Sequence, residues 1–503
     1  FSGYLFMKES AYLKLERLFH RIGIVRDINE VLHWDNATQI PIGGGPGRSN
    51  QLAELSAINH SLLCQSKTSD LLDEAEKDFT LGTWQLANLN AMRRKWRHAN
   101  ALSEDLVVAL SKASSKCETV WRSARAEDNF ASVLPFMEKL LSLIRECAQA
   151  KSEKLCVSTY DALLDQFEPG GKSADIDLRF AELEAFIPEF LGQVLEKQKL
   201  NPIHNKPKGP FDKEAQKALC KELMTAIGFD FDHGRLDVSL HPFCGGTPDD
   251  VRITTRFDKD DFTSGLMGAL HETGHGLYER GLPKEWRYQP VGEALGMAIH
   301  ESQSLLIEMQ VSRSLPFLQF AAPLIRKAFG GNGPIWDAQS LYQNLIKVEP
   351  DFIRVDADEV TYPMHVILRY RLEKQMLTGN LALSDLPAAW NDGLENLLGI
   401  RPSNDRVGCL QDIHWYDGAW GYFPTYTLGA LTAAQLFTAA KHSDPTINSG
   451  IAEGDFTNLI SWLRKNVHCL GGLMSSEQVI KKASGRPLDS KAFITHLKAR
   501  YLH

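Results

Sequence analysis

The run Leu270-His271-Glu272-Thr273-Gly274-His275-Gly276 constrains this chain more than any other stretch, because its H-E-x-x-H form makes sense on one kind of element. On an α-helix the two histidines fall at i and i+4, one above the other, and both rings reach a single metal ion. Glu272 stands one residue past the first histidine. There its carboxylate reaches a water on the metal rather than the metal itself, the place for a general base. Phe262, Leu266, Met267 and Leu270, followed by Leu277 and Tyr278, recur with helical period and support that context. An i,i+4 histidine pair also arises by chance on half-exposed helices, so the motif needs company.

A catalytic zinc site takes three protein ligands and keeps a fourth position open. The motif helix is predicted to end near Gly281-Leu282-Pro283, and a second helical run follows over about 291–314. It contains Glu293, His300, Glu301 and Glu308. Position 281 is Gly, so the longer H-E-x-x-H-x-x-G-x-x-H pattern is absent. A glutamate on the second helix is the expected third ligand. Spacing leaves Glu293 and Glu301 open, since they stand about two helical turns apart.

With 503 residues, 43% hydrophobic and 23% charged, the chain has material for an ordinary globular core. A net charge of -8 without a Lys/Arg-rich run argues against a nucleic-acid surface. Eight cysteines are scattered without a C-x-x-C pair, which predicts buried thiols in a reducing compartment and hence a cytoplasmic protein. No apolar run is long enough to span a bilayer, so no membrane association is expected. Residues 1–6 read as an addition ahead of a natural start at Met7.

From Ala11 to about Leu32, Leu15, Leu18, Phe19, Ile22, Val25, Ile28 and Val31 describe an amphipathic helix. The glycine-rich stretch 41–47 reads as a loop, because no strand precedes it and no Lys-Ser/Thr follows. Residues 50–200 carry helical pattern almost throughout, and Asp212 and Gly228 are predicted to cap another helix. Then the period changes. Residues 236–240 and 251–257 alternate with period two and are β-branched, predicting a small antiparallel pair. Their connection holds His241-Pro242-Phe243-Cys244-Gly245-Gly246. Downstream, the stretch 353–358 is predicted to open a helix running through His365 and Arg369.

Taken singly these later segments say little. Together they form an ordered set: HPF at 241–243, DxRxTT at 250–255, HETGH at 271–275, HESQ at 300–303, IRxxAD at 353–358 and GxxQDxHW at 408–415. Leu32-His33-Trp34-Asp35 near the start and Phe493 and Tyr501 near the end extend it. In this set the chain resembles the carboxypeptidase Taq family of zinc metallocarboxypeptidases, over essentially all of residues 7–503.

The resemblance implies a mainly α fold: one large helical domain, a deep cleft between two lobes and a small antiparallel sheet at the cleft wall. It implies a homodimer. It points to Glu301 as third ligand beside His271 and His275, leaving Glu293 a structural or supporting carboxylate. The cofactor would be Zn²⁺, with cobalt a possible substitute. The substrates would be peptides with a free C-terminus, losing one amino acid at a time with broad side-chain tolerance. An endopeptidase or a peptidyl-dipeptidase on a similar scaffold is the alternative.

Glu272 would then be the general base. Oxyanion donors are expected at His414 and Tyr426, by analogy with other helical zinc peptidases, with Tyr422 in reserve. The substrate's α-carboxylate suits arginine's planar fork. Arg354 is the first candidate, with Gln411 and His241 lining the same subsite and Arg252 a rival. The bland expectation for Arg354 is a structural ion pair with Asp356 or Asp358.

Overall fold

The computed structural model describes residues 9–202, 206–239 and 242–503; residues 1–6 and His241 lie outside them. Nine helices precede the sheet among the described residues: α1 (Ala11–Thr38), α2 (Gly45–Leu63), α3 (Ser66–Ala75), α4 (Thr83–Ala99), α5 (Glu104–Glu127), α6 (Phe130–Leu155), α7 (Thr159–Leu164), α8 (Ser173–Leu200) and α9 (Lys213–Ile227). The strands are β1 (Gly234–Val238), β2 (Phe243–Thr247) and β3 (Asp250–Thr255). After them come α10 (Phe262–Gly281), α11 (Met297–Leu305), α12 (Leu315–Phe329), α13 (Ala338–Leu345), α14 (Tyr362–Thr378) and α15 (Leu386–Leu398). The chain closes with α16 (Pro424–Ser443), α17 (Ile447–Glu453), α18 (Thr457–Asn466), α19 (Ser476–Ser484) and α20 (Lys491–Tyr501). The fold is mainly α with one small sheet.

Local signals account for many boundaries. The Asp212 carboxylate accepts from the Ala215 amide at 2.8 Å and starts α9, which Gly228 ends at φ 108°. Asp261 caps α10 by accepting from the Thr263 amide at 2.9 Å, and Leu282-Pro283 closes it as expected. Three boundaries differ from the sequence reading. Helix α1 continues to Thr38 because Trp34 extends its buried face. Helix α2 starts inside the glycine cluster, with Pro46 in the first turn where a missing N–H does no harm. The second run begins only at Met297 and passes into a π turn over Leu306–Ser312.

The sheet is mixed, in order β1-β3-β2, and corrects the antiparallel expectation. β1 runs parallel to β3, with Leu236 opposite Ile253. The antiparallel partner of β3 is β2, with Cys244 opposite Ile253. β2 escapes detection in the sequence because Gly245-Gly246 removes the alternation on which a strand reading depends. Likewise, 353–358 forms only a short turn at Arg354–Asp356, and α14 begins at Tyr362 with Pro363 in its first turn.

Two apolar cores lie side by side. One gathers α5 to α8, α14, α15 and the segment 409–423; the other gathers α9, the sheet, α10, α12 and α17 to α19. Helices α11 and α16 form the seam between them. Ala298 belongs to the first core and Ile299 and Leu305 to the second; Leu428 and Leu431 face the first, Leu436 and Phe437 the second. A smaller core joins α1, α3 and α4. It docks on the α10–α11 connection through Asn88, whose side-chain N–H donates to Gln289 at 3.0 Å and whose side-chain oxygen accepts from the Val291 amide at 3.2 Å.

Glycines permit the seam. A Cβ on Gly274 would run into the Gln303 carbonyl and the Ser304 Cα, and one on Gly429 would lie 2.7 Å from Glu301 Cγ. Replacing Gly429 by Ala should therefore overpack the α11–α16 crossing and cost about 1–3 kcal/mol, read as a lowered Tm. Gly192→Ala on the exposed face of α8, where an added Cβ meets nothing within 4 Å, should instead stabilise by about 0.5–1 kcal/mol. Equal Tm values for the two variants would refute the crossing argument.

Candidate active site

Helix α10 presents His271 and His275 one turn apart, and α11 crosses it with Glu301 pointing back. His271 Nε2 lies 3.8 Å and His275 Nε2 3.4 Å from Glu301 Oε2. One ligand atom from each of the three residues fits within a 4.8 Å group. Around a tetrahedral metal with arms of about 2.0–2.1 Å, ligand atoms are about 3.3 Å apart, so this triad is close to a ready-made site.

The opposite ring nitrogens fix the tautomers. His271 Nδ1 donates to Glu308 Oε2 at 2.9 Å, and Arg313 holds the other Glu308 oxygen at 2.8 Å. His275 Nδ1 meets His300 Nδ1 at 2.6 Å, while His300 Nε2 meets Glu279 Oε1 at 2.8 Å. A carboxylate only accepts, so His300 carries its proton on Nε2 and accepts on Nδ1. His275 therefore carries its proton on Nδ1. In the neutral rings both Nε2 lone pairs face Glu301, as metal ligation requires, so a metal displaces the His271 proton.

The electrostatics favour a cation. Burial alone would depress His271, but Glu301, Glu308 and Glu272 outweigh it and push its imidazolium up to about 10. Burial holds His275 down at about 4. Against burial, the His271 charge and the His275 contact keep Glu301 at about 2. Burial pushes Glu272 up to about 7, with His271 opposing. Arg313 offsets Glu308, so the ionised Glu301 carboxylate between the two imidazoles is the charge that a cation would meet.

The facing wall is built by Arg354, α14, the segment 408–423 and the start of α16. Asp412 Oδ1 accepts from Arg354 Nε at 3.1 Å and Nη2 at 2.8 Å; Oδ2 accepts from Arg369 Nε at 2.6 Å. Two buried guanidiniums thus share one carboxylate, leaving a unit of positive charge. The Arg354 guanidinium lies 4.7 Å over the Tyr426 ring. His414 Nε2 contacts the Tyr426 hydroxyl at 3.1 Å, and the Tyr422 ring packs 5.2 Å from that of Tyr426. Burial, then the Arg354 charge, holds His414 down at about 3, so it is neutral. Burial raises Tyr426 to about 12, keeping its hydroxyl a donor. Tyr426 and Gly429 share a face of α16, which places this wall one turn from Glu301.

A model of the family described as carboxypeptidase Taq (M32) metallopeptidase matches residues 14–501. Thermostable carboxypeptidase 1 of Thermus thermophilus is 35% identical over 505 residues, covering 98% of either chain. Carboxypeptidase 1 of Bacillus subtilis is 33% identical over 494 residues, 96% of either chain. Among solved structures, metallocarboxypeptidase 1 of Trypanosoma cruzi superposes with a TM-score of 0.96 at 37% identity, over 98% of this chain and 99% of that one. This chain belongs to the carboxypeptidase Taq family. It is a metallocarboxypeptidase, a hydrolase of peptides; the family implies a metal ion, and His271, His275 and Glu301 could hold one.

Other sequence candidates of this metallocarboxypeptidase fall as follows. Gln411 is engaged within the protein: its oxygen accepts from the Arg354 amide at 2.9 Å and from Arg369 at 2.7 Å, and its amide donates to the Phe352 and Val407 carbonyls. It holds Arg354 in place. Arg252 pairs with Asp250 on its own strand and stacks 4.6 Å over Trp34, whose other neighbour is Arg235 at 4.8 Å. Arg354 pairs with Asp412, not with Asp356 or Asp358; the Asp358 carboxylate instead accepts from the Glu349, Val360 and Thr361 amides. Glu293 is structural, bridging Arg26 of α1 and Lys95 of α4.

Sequence reading misses the Glu308–Arg313 and His300–Glu279 supports and the Asp412–Arg369 pair. Glu308 and His300 are visible on the right segment, but nothing in a sequence says which histidine each will meet. Glu308→Ala should weaken metal binding about 10- to 100-fold by freeing the His271 tautomer. Competition against a chelator of known affinity checks this, and unchanged affinity would remove Glu308 from the site's support.

Proposed function

We propose that the enzyme is a zinc carboxypeptidase that releases single amino acids from peptide C-termini with broad side-chain tolerance. The observation that carries this reading is the surplus positive charge of Arg354 and Arg369 over Asp412, beside Tyr426 and one α16 turn from Glu301. A terminal carboxylate docked there puts the preceding carbonyl about one residue length, roughly 3.8 Å, nearer the metal ligands.

Two imidazoles and a carboxylate suit Zn²⁺, with cobalt a possible substitute. When bound, the metal supplies Lewis acidity, polarising the scissile carbonyl and lowering the pKa of a water. Glu272, one residue past His271 on the same helix, takes the proton as water attacks and returns it to the leaving amine. His414 and Tyr426 donate to the developing oxyanion. Tyr422 packs behind both. Arg354, held by Asp412 and Gln411, fixes the terminal carboxylate. The eight free cysteines support a reducing, cytoplasmic setting, and no described helix is long and apolar enough to cross a membrane. The family resemblance further suggests a homodimer, which sedimentation would test.

Mass spectrometry over time on one unblocked peptide tests the activity. A ladder losing one residue at a time, abolished by chelator and restored by zinc, is expected. C-terminal dipeptides or internal fragments would favour the peptidyl-dipeptidase or endopeptidase alternative. Arg354→Ala should impair free-acid peptides and spare amidated ones, whereas equal losses on both would refute the carboxylate role. Tyr426→Phe and His414→Ala should each lower kcat by about 100- to 1000-fold. Near-wild-type kcat in both would end the oxyanion assignment.

A further inference from the structure

The segment that carries His414 and Tyr422 has no helix or strand of its own, so something else must hold it. The strongest candidate is a carboxyl group that the chemistry above does not use. Glu373 lies on α14, one turn beyond Arg369, and is fully buried. Among the described residues no lysine or arginine pairs with it; its neighbour Lys374 pairs with Asp177 at 2.8 Å. Its partners are three donors. The Tyr160 hydroxyl of α7 donates to Oε1 and the Trp415 indole N–H donates to Oε2 at 3.1 Å, while the Gly421 amide, turned toward the carboxyl, helps to offset the cost of its burial.

The positions of those donors matter. Trp415 follows His414 directly, and Gly421 directly precedes Tyr422. One carboxyl therefore ties both ends of the stretch between the two side chains, and Tyr160 anchors that carboxyl to α7. Gly421 sits at φ 93° with a virtual Cβ 2.8 Å from the Leu164 amide nitrogen, so α7 also seats the backbone there. Trp415 packs edge-on to Trp390 at 6.0 Å and to Phe423 at 5.7 Å, carrying the same constraint into the start of α16.

We propose that Glu373 is a positioning residue for the oxyanion-binding wall, setting His414, Tyr422 and Tyr426 through its bonds to Trp415 and Gly421. The inference rests on the reading of His414 and Tyr426 as oxyanion donors. It needs a hydrogen-bonding group rather than a charge. Burial pushes the Glu373 carboxyl up to about 7, so the neutral acid is a populated form, and it still accepts from Trp415. A glutamine reproduces that form: its carbonyl accepts from Trp415 and its amide donates to Tyr160. An alanine reproduces neither.

The test uses the zinc-loaded enzyme and a short free-acid peptide. Glu373→Ala should lower kcat by about 10- to 100-fold, since misplacement of a donor acts on the transition state. KM should stay within about threefold and zinc content should be unchanged. Glu373→Gln should keep kcat within about threefold of wild type. Trp415→Phe should lower kcat, and the Glu373→Ala/Trp415→Phe double variant should be no slower than Glu373→Ala alone. Wild-type kcat in Glu373→Ala, independent losses in the double variant, or parallel loss of zinc would overturn the proposal. Should Glu373→Ala not fold, Trp415→Phe decides: lowered kcat at unchanged KM supports it, and wild-type kcat overturns it. The two readings separate cleanly. Wild-type kcat in His414→Ala removes the oxyanion assignment, whereas an impaired His414→Ala beside unimpaired Glu373→Ala and Trp415→Phe removes only the role of Glu373.

Discussion

The site depends on how closely α11 can approach its two neighbours. Gly274 lets α10 touch α11 at Gln303 and Ser304, and Gly429 lets α16 touch it at Glu301. A side chain at either position would separate elements that each bring one part of the chemistry: the histidine pair, the third carboxylate, and the tyrosine wall. Because α11 and α16 also divide the two apolar cores, the packing of both halves converges on this crossing. Close packing of that kind tolerates few intermediate arrangements.

Charge is then distributed unevenly around the site. The metal side concentrates Glu272, Glu301 and Glu308 around two imidazoles. The opposite wall holds two guanidiniums on the single carboxylate of Asp412. Each side is incomplete alone, one lacking a cation and the other an anion. In the proposed function a metal ion and a substrate carboxylate would complete them. The buried neutral donors between, His414 and Tyr426, stay uncharged because burial disfavours their ionised forms.

Much of the metal side is legible in the amino-acid sequence. H-E-x-x-H carries its own geometry, since helical period alone stacks His271 on His275 and offsets Glu272. The caps at Asp212, Gly228 and Leu282-Pro283 are equally local. Legibility ends where partners are distant in the chain. Sequence proximity points Arg354 to Asp356 or Asp358, yet it pairs with Asp412. Gln411 reads as a subsite residue, yet its hydrogen bonds go to the backbone and to Arg369. β2 stays hidden because two glycines erase the alternation that marks a strand.

The sequence by itself determined the family, the mainly helical class and the helix on which His271 and His275 stack. Those follow from short-range periodicity and from an ordered set of motifs. Tertiary structure alone decided which carboxylate steadies each histidine, which way the sheet runs, and how Asp412 and Glu373 hold the facing wall. The physical reason is distance. Hydrogen bonds and ion pairs between residues far apart in the chain exist only after packing has buried them together, and no local pattern records them.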